Sequence, residues 1–271
     1  MAFLQTDFQS FVLKRSVAAN IILPADTILP GEGNRWGGYQ NAPDRKYKTL
    51  YLLHGLYGNC MDWVTNSRIN EYATAHNLAV VMPSAENSFY VDLPLSNHNF
   101  DSYIGEELVE VTRRLFPLSR KREDTFLAGL SMGGFGALRL GIKYADTFSH
   151  IAAFSSALHI FEYAPGEPGY DMLCQEDECM GKWTEAALKD KNPAVALARL
   201  QEKVKAEQGE YPKIYMSCGT EDDLLDSNRR FRDRLTDAGV DLTYREEPGG
   251  HEWDFWDRHV RYVIENWLPV E

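Results

Sequence analysis

The chain has 271 residues, with 28 Lys and Arg against 40 Asp and Glu, a formal net charge of -12, and 44% hydrophobic residues. Length and apolar content suit one α/β domain over residues 1–271 with a sizeable core. The acidic balance argues against nucleic acid as a partner and, more weakly, against a membrane surface.

The opening MAFLQTDFQSFVLKR lacks a basic stretch followed by an apolar one, so no secretion leader is read there and a cytoplasmic location is expected. Phe8 to Leu23 reads as two β-strands, and Pro24 to Arg45, rich in Gly, Pro and Asn, as a surface loop. Thr49–Leu53 is a short apolar run halted by His54-Gly55, which suits a buried strand. Asn66 to His76 has helical spacing, and Leu78 to Met82 reads as another buried strand, ended by Pro83. From Asp101 to Phe116, Ile104, Leu108, Val111 and Leu115 recur at steps of three and four, one helical face that Pro117 stops.

Asp124 to Leu130 reads as a strand, Met132 to Tyr144 as a helix of small residues, and His150 to Ser155 as a strand. Strands are then expected at Lys213–Ser217 and Leu242–Glu246, and helices at Leu224–Ala238 and Phe255–Trp267. Strands alternating with helices predict a mainly parallel central sheet covered on both faces. Residues 157–191 break the rhythm, with Phe161, Tyr163, Tyr170 and Trp183 among acidic residues. They are read as an insertion or lid, or else as a solvated connector. The four cysteines, Cys60, Cys174, Cys179 and Cys218, lack the spacing of a disulfide framework and read as free thiols.

Gly129-Leu130-Ser131-Met132-Gly133 fits Gly-x-Ser-x-Gly. The pattern is short, but here it follows a strand and opens a helix, the setting of a nucleophile elbow. Flanking glycines leave room for a sharp turn, and the helix N-terminus favours negative charge. Serine needs a base, and in such folds the order along the chain is serine, acid, histidine. Only His251 and His259 lie late enough. His259 falls within a helical pattern, whereas His251 follows Pro248-Gly249-Gly250 at a strand end and is preferred. The acid should follow the strand at Lys213, where Glu221, Asp222 and Asp223 are adjacent. Asp222 is the first choice, with its neighbours open. An oxyanion hole would pair the Met132 amide with that of Leu56, in His54-Gly55-Leu56-Tyr57-Gly58. His54 is expected to order that loop. Gly55, Tyr57 and Trp63 are candidates for substrate contact, although aromatics such as Trp63, Phe89, Tyr90 and Tyr57 more commonly serve as packing.

Together the motifs LLHGLYGN (from Leu52) with Trp63, VVMPSAENSFYVD (from Val80), YIGEEL (from Tyr103), GLSMGGFGAL (from Gly129), CGTEDDLLDSN (from Cys218) and GGHEWDFW (from Gly249) resemble the esterase D-like branch of the α/β-hydrolases. The closest resemblance is to the tributyrin esterase group, beside feruloyl and acetyl-xylan esterases, S-formylglutathione hydrolases and mycolyltransferases. It implies an α/β-hydrolase fold, nucleophile Ser131, acid Asp222, base His251 and oxyanion amides at Leu56 and Met132. It also implies hydrolysis of short-chain acyl esters, or of feruloyl (cinnamoyl) or acetyl esters of plant carbohydrates, with no metal or organic cofactor. The expected partner is a small-molecule ester, with a homo-oligomer left open. The rivals are an S-formylglutathione thioesterase, an acyltransferase, and a binding module on an inactive hydrolase fold.

Overall fold

A computed structural model describes residues 1–26, 28–29, 38–39, 46–93, 97–161 and 191–270. Its centre is an eight-stranded sheet made of β1 (Ala2–Ser10), β2 (Arg15–Leu23), β3 (Thr49–Leu53), β4 (Ala79–Pro83), β5 (Thr125–Leu130), β6 (His150–Phe154), β7 (Lys213–Gly219) and β8 (Leu242–Glu247). The order is β1-β2-β4-β3-β5-β6-β7-β8. β1 pairs antiparallel with β2, and β2 with β4. All remaining pairs are parallel. This is the expected α/β-hydrolase architecture, a mostly parallel sheet that needs cover on both faces.

Among the described residues the α-helices of five or more residues are α1 (Asp62–Asn66), α2 (Ile69–Ala75), α3 (Leu108–Leu115), α4 (Met132–Lys143), α5 (Pro193–Lys205), α6 (Leu225–Asp237) and α7 (Trp253–Tyr262). Strand periodicity divides the core in two. Tyr51, Leu53, Leu127, Ile151 and Met216 point to a cluster completed by α3, α4, α5 and α6. Leu50, Leu52, Phe126, Ala128, Phe154 and Tyr215 point the other way, to α1, α2 and α7. Every residue of β3, β4 and β5 is buried, which explains their unbroken apolar runs. β1 is an edge strand, so its residues alternate between exposed and half-buried.

Several boundaries differ from the sequence expectation. The first hairpin begins at Ala2, because exposed Gln5 and Asp7 do not prevent pairing at an edge. The helix expected over 66–76 starts three residues later, as α2, and is preceded by a separate helix, α1, that was not expected and ends at Asn66. Ser67 between them is extended (φ -138°, ψ 173°), and its hydroxyl donates to Trp63 O and accepts Ile69 N–H, a local alternative to helical bonding. The expected helix from Asp101 contains one wide turn, Tyr103–Glu107, where Gly105 lies against the Tyr144 ring. α5 was not expected, although Asn192 caps it through Ala194 N–H and Pro193 is its first residue, both start signals.

The expected lid lies mostly outside the described residues, as do Cys174, Cys179 and most of the expected loop from Pro24 to Arg45. Cys60 and Cys218 are free thiols. Among the described residues no helix is long and apolar enough to cross a membrane.

Candidate active site

Five loops meet at the C-terminal ends of β3, β5, β6, β7 and β8, the edge where open α/β sheets bind ligands. Ser131 joins β5 to α4 with φ 53° and ψ -116°, a strained conformation for a residue with a Cβ. Its N–H donates to Phe154 O at 2.9 Å, and its carbonyl accepts Phe135 N–H at 3.0 Å and Ala157 N–H at 3.0 Å. These bonds offset the strain. The flanking glycines are required by close approach. A Cβ at Gly129 would lie 2.4 Å from Gly133 O, and one at Gly133 would lie 2.6 Å from both Leu53 O and His54 O.

His251 follows β8 on the loop Pro248–Gly250. Its Nε2 lies 3.0 Å from Ser131 Oγ and its Nδ1 lies 2.9 Å from Asp222 Oδ2. Of the three adjacent acids, only Asp222 is buried, whereas Glu221 and Asp223 are exposed. Asp222 Oδ1 accepts Leu224 N–H at 2.9 Å. Burial alone would raise this carboxyl, but hydrogen bonds from His251 and Leu224 N–H outweigh it and hold the group below its ordinary range. An ionised Asp222 accepts the Nδ1 proton, leaving Nε2 to accept from the Ser131 hydroxyl. Backbone bonds tie the acid and histidine loops together, from Thr220 N–H to Glu247 O and from Glu221 N–H to Gly249 O. His259, the other late histidine, is buried within α7 and bonds Tyr215 OH at 2.7 Å.

The loop after β3 lies against the serine, since a Cβ at Gly55 would come 3.5 Å from Ser131 Cβ. His54 is buried, and Ala85 N–H donates to its Nε2 at 2.9 Å. The ring proton is therefore on Nδ1, donated to Gly55 O at 2.7 Å. Burial pushes this imidazole's pKa down, which keeps it neutral and makes it a structural tie. Tyr90 OH donates to His54 O, and Trp63 Nε1–H to Leu53 O, both at 2.9 Å. The turn closes through Gly58 N–H to Gly55 O at 3.3 Å, with Tyr57 at φ 61°. Leu56 sits within it, and Met132 opens α4, where the first amides have no partner inside the helix.

The aromatic candidates separate. Tyr57 is 89% exposed, whereas Trp63 is 1% exposed. Trp63 packs edge-on against Phe154 and Trp253. The structure thus places its ring in the core behind the loop, where it cannot meet a substrate. Phe89 and Tyr90 are likewise buried. Two contributors were not found from sequence: Asn87, whose Oδ1 accepts Tyr57 N–H, and Asn228, which bonds both backbone groups of Ser156. Asn87 and Asn228 lie inside the long motifs, a signal that could have drawn attention to them. Among the described residues no group of three or more His, Cys, Asp or Glu is placed to hold a metal ion.

A family model described as "Putative esterase" matches residues 30–260. An acetyl esterase of Caldicellulosiruptor saccharolyticus is 40% identical, over 99% of this chain and 98% of that protein. An S-formylglutathione hydrolase of Staphylococcus aureus superposes with a TM-score of 0.76 at 26% identity, covering 98% of each chain. A ferulic acid esterase gives the same TM-score and coverage at 20% identity, a likeness of fold alone.

Proposed function

The chain belongs to this esterase family and is a carboxylesterase, and from that premise we propose that Ser131 is its nucleophile, His251 its general base and Asp222 the acid that orients His251. The observation that carries the reading is the continuous Ser131–His251–Asp222 hydrogen-bonded line, at 3.0 and 2.9 Å. His251 Nε2 takes the hydroxyl proton as Oγ attacks the ester carbonyl. The Leu56 and Met132 amides receive the developing oxyanion, and each such donor is worth about 3–4 kcal/mol in other enzymes. His251 then protonates the leaving alcohol. Water, activated by the same imidazole, releases the acid and restores Ser131.

Short acyl esters, acetyl first, are the proposed substrates. The acetyl esterase relative supports this. The burial of Trp63, Phe89 and Tyr90 leaves only Tyr57, of the four aromatics considered, available to a cinnamoyl group. The test is a panel of acetyl, butyryl and feruloyl esters with S-formylglutathione, using wild type and Ser131→Ala. Fastest turnover of the acetyl ester, abolished by Ser131→Ala, is expected. Preference for S-formylglutathione would favour the thioesterase reading.

A further inference from the structure

The acid and the base of the site are held by different means. The Asp222 side chain is fully buried, so packing fixes it, whereas the His251 side chain is 38% exposed and rides on Pro248-Gly249-Gly250. Two successive glycines lose more freedom on ordering than other residues would, and Gly249 adopts φ 143°. The place of His251 therefore has to come from bonds made to its loop.

Those bonds engage each backbone polar group from Pro248 O to Gly250 O. Arg258 Nη2, on α7, donates to Pro248 O at 3.0 Å. Gly249 N–H donates to Glu221 Oε2 at 2.5 Å, and Gly249 O accepts Glu221 N–H at 3.1 Å. Gly250 N–H donates to Glu252 Oε1 at 3.1 Å, and Gly250 O accepts Glu252 N–H at 3.0 Å. Glu252 lies two positions along the same segment, so it shapes the turn and moves with it. Glu221 instead belongs to the loop after β7 and directly precedes Asp222. It grips Gly249 twice, once with its backbone and once with its side chain. The Gly249 N–H holds the Glu221 carboxyl below its ordinary range, and an ionised carboxylate can only accept, so the direction of that bond is fixed.

Two ties thus cross between the acid loop and the base loop. One joins Asp222 to His251, and the other joins Glu221 to Gly249. They close a small ring, with Glu221 and Asp222 on one side and Gly249, Gly250 and His251 on the other. The backbone bond from Glu221 alone would be a single pivot. The carboxylate adds a second point of attachment and stops the base loop from turning about the first. The edge-on contact between the His251 and Trp256 rings, 4.9 Å between centroids, backs the imidazole on α7.

We propose that Glu221 is a positioning residue that sets the His251 loop in register with Asp222. This rests on the assignment of Ser131, His251 and Asp222 given above. With the loop held at Gly249, Nδ1 stays opposite Asp222 and Nε2 stays opposite Ser131 Oγ while the imidazole takes up and returns its proton. Glu221 is exposed, so its effect falls on alignment and leaves the stability of the fold nearly unchanged.

The test uses three substitutions at this position. Glu221→Ala removes the acceptor. Glu221→Gln keeps a carbonyl oxygen within reach of Gly249 N–H but loses the charge. Glu221→Asp keeps the charge but is one methylene too short. The readouts are kcat and KM on an acetyl ester, the low-field proton resonance of His251 Nδ1–H, and Tm. Glu221→Ala is expected to lower kcat by about tenfold with KM within about twofold, to shift or broaden the resonance, and to leave Tm nearly unchanged. Glu221→Asp should follow Glu221→Ala, whereas Glu221→Gln should stay within about threefold of wild type. A wild-type kcat in Glu221→Ala, an unchanged resonance, a loss carried by KM, or an equal loss in Glu221→Gln would each overturn the proposal. Should Glu221→Ala fail to fold, Glu221→Asp against Glu221→Gln decides by the same readouts. Ser131→Ala run alongside separates the two layers: full activity there refutes the underlying assignment, whereas loss there with no effect of Glu221→Ala refutes only the positioning role.

Discussion

Gly133→Ala places one methyl group between α4, which starts at Met132, and the loop that carries the second proposed oxyanion amide. The added Cβ would sit 2.6 Å from Leu53 O, 2.6 Å from His54 O and 2.8 Å from Leu53 C. All three atoms are backbone, so no side chain can swing away. Reaching ordinary contact requires the loop to retreat by roughly 0.8 Å, in a core packed to crystal density. The two carbonyls are also the acceptors for Trp63 Nε1–H and Tyr90 OH, so the retreat strains both ties and carries Leu56 with it. Losing an oxyanion donor outright costs about 3–4 kcal/mol. A displacement of this size should forfeit most of that, a fall in kcat of about 100-fold. Overpacking should also lower stability by about 1–3 kcal/mol. The control is Gly141→Ala on the same helix, whose Cβ would meet the Ile151 side chain at 2.4 Å, far along α4 from Ser131. It should lower Tm and leave kcat nearly intact. The assay is kcat and KM on an acetyl ester with Tm for each variant. A Gly133→Ala enzyme within threefold of wild-type kcat, or an equal loss in Gly141→Ala, would refute the reasoning.

Asp222→Asn should lower kcat by on the order of 10³–10⁴ by favouring the wrong tautomer of His251, while Asp223→Asn, at an exposed position, should stay within twofold; steady-state kinetics on both decides the acid. Burial pushes the His259 pKa down from 6.5 to about 4, so the folded chain keeps this imidazole neutral while the unfolded chain takes a proton below about 6.5. Its contribution to stability is present above that pH and is lost as pH falls towards 4, by on the order of 3 kcal/mol. Urea unfolding at pH 7, 5.5 and 4 should show a shallower fall for His259→Gln than for wild type, and an identical fall would contradict the assignment. Asp101 is buried and faces Arg139 and Lys143, so Asp101→Asn should cost about 3–5 kcal/mol in the same unfolding assay by removing the counter-charge of the buried Arg139.

The sheet was legible where burial imposes a simple pattern. β3 is bounded by the sequence expectation to the residue, because a strand covered on both faces must be apolar throughout. The join of β5 to α4 was legible because Gly129 and Gly133 admit no Cβ. The edge strand β1 was read short, since half-exposed residues relax the pattern. The break at Ser67 depends on one side chain bonding backbone that would otherwise extend a helix, and such competition leaves little trace in periodicity.

In the site, Ser131 and His251 stood out by motif and chain order. Choosing Asp222 among three adjacent acids needed burial, which three consecutive charged letters do not encode. Aromatic content near the motifs suggested substrate contact at Trp63, whereas the indole instead donates to Leu53 O and packs on Phe154.

The central claim is that Ser131 attacks the ester. The direct measurement is labelling with a fluorophosphonate, followed by mass mapping of the adduct, in wild type and Ser131→Ala. The account predicts one adduct, on the peptide bearing Ser131, absent in Ser131→Ala together with esterase turnover. An adduct on a different residue, or a Ser131→Ala chain that hydrolyses the acetyl ester at the wild-type rate, would contradict it.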